Sequence, residues 1–101
     1  MNITVAQVRD ALRKDDFSYI NTQIERGIET AKAALYTAIG YDETQSPSSK
    51  TLPEANTGKF ESLSNQYIVE FVRGALDSVD NERTLTILAT QCEALLVKAE
   101  A

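Results

Sequence analysis

Apolar positions recur at helical spacing along most of this chain, and in one internal stretch they almost vanish. Ile20, Ile24, Ile28, Ala31, Leu35 and Ile39 form a stripe close to the 3.6-residue period. That stripe predicts a helix from Phe17 to Ile39, with Gly40 as the left-handed residue just past its end. About 23 residues rising about 1.5 Å each reach about 34 Å. A globule of this chain length is about 33 Å across, so the helix is expected to cross the whole domain. Gly27 costs it about 1 kcal/mol against alanine, which points to close packing with a neighbouring helix there. Upstream, ITVAQV signals a shorter helix: Thr4 as N-cap, Gln7 completing a capping box, and Ile3 stapled to Val8. Val5, Val8 and Leu12 face inward, the helix ends near Lys14, and Asp10 with Lys14 makes an i,i+4 pair. Asp15 and Asp16 then offer an N-cap and complement the dipole of the long helix.

The interruption is AIGYDETQSPSSKTLPEANTGKF, residues 38–60. Connections this long are uncommon in compact domains unless they work or are disordered. Leu52 is the one apolar anchor between Thr44 and Thr57, so this segment is expected to be mobile in an isolated subunit. A third helix is expected from Lys59 to Val79. Leu63, Tyr67, Phe71 and Ala75 lie on one row and Ile68, Val72, Leu76 and Val79 on the next, more apolar face than a surface helix needs. One row is expected to face the rest of the bundle and the other to stay partly exposed. Asp80 or Asn81 caps the last helix, whose stripe is Leu85, Leu88, Cys92, Leu95, Leu96 and Ala99. No strand of useful length and no internal repeat is present. The reading is all-α: one domain over residues 1–101, a small bundle of about four helices with a long polar loop between the second and third.

Composition narrows the chemistry. The 101 residues are 43% apolar and 25% charged, ordinary for a globular protein, with a net charge of −5. That balance opposes tight, unspecific grip on a phosphate backbone. Without histidine, and with one cysteine, a Cys/His zinc site and a histidine base are excluded by count. Cys92 sits on an apolar stripe, so a buried, inert thiol is the better reading than a nucleophile. Asp15/Asp16 and Asp42/Glu43 lack EF-hand spacing, and Gly58-Lys59 is only the tail of a phosphate-binding loop. Arg73 has Asp77 one turn on, which reads as a surface pair. No catalytic, cofactor or metal residue is expected. No apolar run spans a membrane and no leader core opens the chain, so a soluble cytosolic product is expected. Tyr41 and Phe60 flank the polar loop, where they either pin its feet to the body or meet a partner.

The order of features resembles a known family. The capped ITVAQVRDALRKDD, the long helix ending ALYTAIGYDE, the polar loop, YIVEFVRGAL and the closing DNERTLTILATQCEALL together resemble the head–tail connector (adaptor) proteins of long-tailed phages and prophages. The likeness covers essentially the whole chain and rests on helix-boundary signatures rather than a catalytic fingerprint. RKDDFSYI departs from the longer acidic run of relatives, and the Ser/Thr/Pro loop is also a departure.

The resemblance implies a structural virion protein and no enzyme. Its subunits would form a homo-oligomeric ring, commonly of twelve copies, beneath the portal protein. The ring would receive the next head-completion or tail component, and DNA would pass through its channel without specific binding. It would sit at the head–tail junction of the virion after assembly in the bacterial cytoplasm, with no membrane partner. Candidate contact residues are Tyr41, Phe60, Ile68, Val72 and Leu76. The rival is a small prophage-encoded regulatory binding protein, which would show a basic recognition helix, and none is visible in the sequence.

Overall fold

A computed structural model describes residues 2–42 and 50–98. Among them are four helices: α1 (Val5–Ala11), α2 (Ser18–Ile39), α3 (Thr57–Asp77) and α4 (Glu82–Glu93). A 3-10 turn, Glu54–Asn56, leads into α3. Two short strands, β1 (Lys50–Thr51) and β2 (Val97–Lys98), pair antiparallel, with Lys50 opposite Lys98 and Thr51 opposite Val97. The all-α reading holds, with this small ribbon added. No helix among the described residues is long and apolar enough to cross a membrane.

The long helix forms where its stripe predicts, and Ile24, Ile28, Ala31, Leu35 and Ile39 are buried. Its end is set by Gly40 at φ 67°, whose N–H reaches the Tyr36 carbonyl at 2.9 Å. Lys50 adds a second stop, donating from Nζ to the Ile39 carbonyl at 2.7 Å. A cation there meets the negative end of the helix dipole. The helix does not cross the whole molecule. At about 33 Å it falls short of the 47 Å long axis, because stacked helices build a rod rather than the sphere assumed from chain length.

Helix α3 is central, packing on α2, α4 and α1. At Gly27 an added Cβ would lie 3.0 Å from Val72 Cγ2, so the glycine permits the close α2–α3 approach that its position suggested. Phe60, Tyr67, Ile68 and Val72 from α3, Leu88 and Cys92 from α4, and Val8 from α1 complete one core with α2.

Several boundaries differ from the sequence reading, each for a local reason. Helix α1 ends at Ala11, before Lys14, because Arg13 takes a left-handed conformation at φ 56°. The Arg13 N–H then bonds the Asp10 carbonyl at 3.1 Å and the Lys14 N–H the Arg9 carbonyl at 3.0 Å, closing a Schellman-type end. Lys14 therefore leaves Asp10 and pairs with Asp77, while Arg73 pairs with Glu70 at 3.4 Å instead of Asp77. The N-cap of α2 is Phe17, with no side-chain cap. Asp16 is drawn aside to Asn21 Nδ2 (2.7 Å) and to Arg9 (3.3 Å), neither of them a cap contact. Helix α3 starts at Thr57 and stops at Asp77, and α4 stops at Glu93, so Leu95 and Leu96 lie in a turn. Ala99 and the first half of the loop, residues 43–49, lie outside the described residues. The second half is no free tether. Residues 50–56 form β1 and the 3-10 turn, and Asn56 Nδ2 donates to the Leu95 carbonyl at 2.9 Å.

Candidate functional site

The five contact residues expected from the sequence do not form one surface. Ile68 and Val72 are 0% exposed and Phe60 is 1% exposed. They are core of the single subunit, and their place among the contact residues is corrected. The two-row argument fails for these residues because α3 has neighbours on several sides, so the middle of both rows finds cover inside the chain, while Ala75 and Val79 at their ends stay exposed. Tyr67 of the other row is also buried, and Phe71 stacks on it with ring centroids 6.2 Å apart. Leu76 is half-buried against the core edge. Tyr41 meets Phe60 edge-to-face, with centroids 5.7 Å apart and planes at 85°. Of the two readings left open for this pair, pinning the loop to the body fits that geometry, since the Phe60 ring is spent on the interior.

Apolar exposure lies elsewhere. Phe17 is 52% exposed, Tyr19 63% and Val79 47%, with Ile87 and Val97 also exposed. The Phe17 and Tyr19 rings stack nearly parallel, 5.8 Å apart at 9°. Lys14, three residues before Phe17, is ion-paired with Asp77. The start of α2 and the α3–α4 turn therefore share one end of the bundle, and Phe17, Tyr19 and Val79 share it too. The sequence contained a signal for this plate: Tyr19 falls off the Ile20–Ile24–Ile28 stripe, where a helix of a bundle usually carries a polar side chain. Phe17, read as the first residue of the long helix, is instead its N-cap and stands outside the helical turn.

The same end is held by polar contacts that the pattern of apolar residues does not encode. Arg9 donates to Asn21 Oδ1 at 2.9 Å and to Asp16. Asn81 occupies the N-cap position of α4 without capping it, and its Nδ2 donates to the Glu70 carbonyl at 2.5 Å. A Cβ on Gly74 would fall 2.8 Å from Asn81 Oδ1, so this glycine leaves room for the clamp.

Burial pushes the Cys92 thiol up to about 11, which keeps it protonated and unreactive at neutral pH. Burial also raises Tyr67, with the nearby Cys92 as a smaller cause. Glu61 moves the other way. Its partial burial alone would raise it, but hydrogen bonds from the Asn2 N–H, at 2.6 Å, and from the Asn65 side chain hold it below the ordinary glutamate value. Among the described residues no group of three or more His, Cys, Asp or Glu is placed to hold a metal ion. A shallow groove of about 480 Å³ between α1, α3 and α4 has apolar Ala11, Val69 and Leu88 in its lining beside polar Asn65, Glu70 and Thr84. It carries no nucleophile paired with a base. Comparison with protein-family models, with curated proteins and with solved structures finds no match for the chain.

Proposed function

We propose that this chain is a structural subunit of a phage head–tail connector, assembling into a ring beneath the portal and joining the head to the tail. One observation carries the reading of a subunit built to be covered: the stacked Phe17–Tyr19 plate, more than half exposed at one end of the bundle. Large aromatic rings left in water at a helix start contribute little to the fold of a single chain. Exposed apolar patches usually mark an interface, and Tyr and Phe are enriched there. The assignment to the connector family rests on the order of helix-boundary signatures along the sequence. The acidic balance, −5 overall, suits a channel through which DNA slides without sticking. The regulatory alternative gains nothing from α4, where Arg83 is the sole basic residue of Glu82–Glu93.

The test is assembly. Sedimentation velocity and negative-stain electron microscopy over a rising concentration series, alone and with a cognate portal protein, should reveal closed rings. Monomers at every concentration, portal present, would end the connector reading.

A further inference from the structure

We infer that the Phe17–Tyr19 end of the bundle docks a partner segment in which a basic residue stands beside apolar ones. The inference rests on the reading of this end as a contact surface and adds the chemistry of its occupant. Two local facts set the plate apart. First, Phe17 holds the N-cap of a 22-residue helix without a side-chain hydrogen bond, where Ser, Thr, Asp or Asn would stabilise it by about 1 kcal/mol. A local rule broken without gain to the fold is expected at a functional position. Second, the rings stack on each other at 9° and 5.8 Å, so they present a preformed aromatic pair rather than two loose side chains.

The charge around the plate selects the occupant. Arg9 and Lys14 are taken up by Asp16 and Asp77. That leaves Asp10, Asp15, Asp80 and Glu82 against Arg13 and Arg83, none of these six in a salt bridge among the described residues. The surplus is acidic. The positive dipole ends of α2 and α4 at this end account for carboxylates being there, but not for exposed aromatic rings at the same end. An arginine or lysine laid over the plate meets ring faces and flanking carboxylates together, and its apolar neighbours cover Val79. A second copy presenting the same end would bring surplus carboxylates against surplus carboxylates, so an isologous contact through the plate is disfavoured.

The experiment is an amide chemical-shift titration of the full chain with blocked Leu-Arg-Leu tripeptide, with Leu-Glu-Leu as control, at low and high salt. Leu-Arg-Leu should shift residues 15–19 and 79–82 at millimolar concentration, several-fold more weakly at high salt, and Leu-Glu-Leu should not. Phe17→Ser/Tyr19→Ser should abolish the shifts while folding as well as the parent, because serine caps a helix. Asp15→Asn/Asp80→Asn should weaken them several-fold. Equal shifts from both tripeptides, or none from either, would overturn the inference. Shifts at this end that track protein concentration, with no effect of tripeptide, would also overturn it, yet would leave the self-assembly of the connector reading intact.

Discussion

At the residue scale, two glycines that look alike in sequence have opposite expected roles. Gly58 lies in the first turn of α3 with nothing within 4 Å of an added Cβ. Gly58→Ala should therefore stabilise by about 0.5–1 kcal/mol through helix propensity. Gly74 lies in the same helix, but its Cβ would strike Asn81 Oδ1 at 2.8 Å and the Val79 carbonyl at 3.3 Å. Backbone cannot step aside cheaply, so Gly74→Ala should cost about 1–3 kcal/mol despite the same propensity gain. Urea midpoints of the two variants check both signs. Titration gives a second residue-scale expectation. Cys92 has a folded-state value of about 11 against an ordinary 9.0. The unfolded thiol ionises first, so this contribution is whole below pH 9 and is lost as pH rises towards 11. Tyr67, also raised, acts in the same direction. Glu61 is lowered, so its contribution is present above the ordinary value of 4.5 and fades as pH falls below it. Urea midpoints across pH should fall on both flanks, and Cys92→Ala, though less stable, should show a flatter alkaline flank.

At the element scale, what was legible in the sequence is what depends on period. The α2 stripe and Gly40 at its end needed nothing beyond the chain itself, and neither did the Thr4–Gln7 capping box, whose two bonds are 3.2 and 2.9 Å. What was illegible depends on contacts between distant residues. Asp16 was a fair N-cap until Arg9 and Asn21 claimed its carboxylate. A two-residue strand has no period, and β1 exists because β2 returns beside it. The end of α1 was read too late because a left-handed C′ residue is usually glycine, and here it is Arg13 at φ 56°. Ser78, just past the end of α3, is likewise left-handed at φ 54°. A side chain in this region costs about 1–2 kcal/mol that glycine avoids, part of which glycine returns as unfolded-chain entropy. Arg13→Gly and Ser78→Gly should each stabilise by about 0.5–1 kcal/mol, read as an upward shift in the thermal midpoint. No change at either site would show that the side chain there makes a compensating contact.

At the scale of the whole molecule, the site was less legible than the fold, and the reason is geometric. Two apolar rows on α3 imply an uncovered face only if few helices surround it, and how many do so is a property of the tertiary arrangement. With α1, α2 and α4 all on α3, Ile68 and Val72 are interior. On the proposed reading assembly runs through the end plate, and the two sites should behave differently when changed. A charge at Val72, wholly buried beside Gly27, leaves an unpaired ion in the core and should destabilise by about 3 kcal/mol or more. Any loss of assembly there would follow unfolding. Phe17→Ser/Tyr19→Ser removes exposed rings and supplies a better N-cap, so its urea midpoint should match or exceed the parent. Its self-association, or its capture by portal, should nevertheless weaken by about tenfold or more, since buried aromatic anchors at interfaces commonly contribute 2 kcal/mol or more, on the order of a thirtyfold change. Sedimentation equilibrium beside urea denaturation separates the two variants. If Phe17→Ser/Tyr19→Ser assembled as the parent does while remaining folded, the plate would not be the contact surface, and the joint would have to be sought around Ile87 on α4 or Val97 on β2.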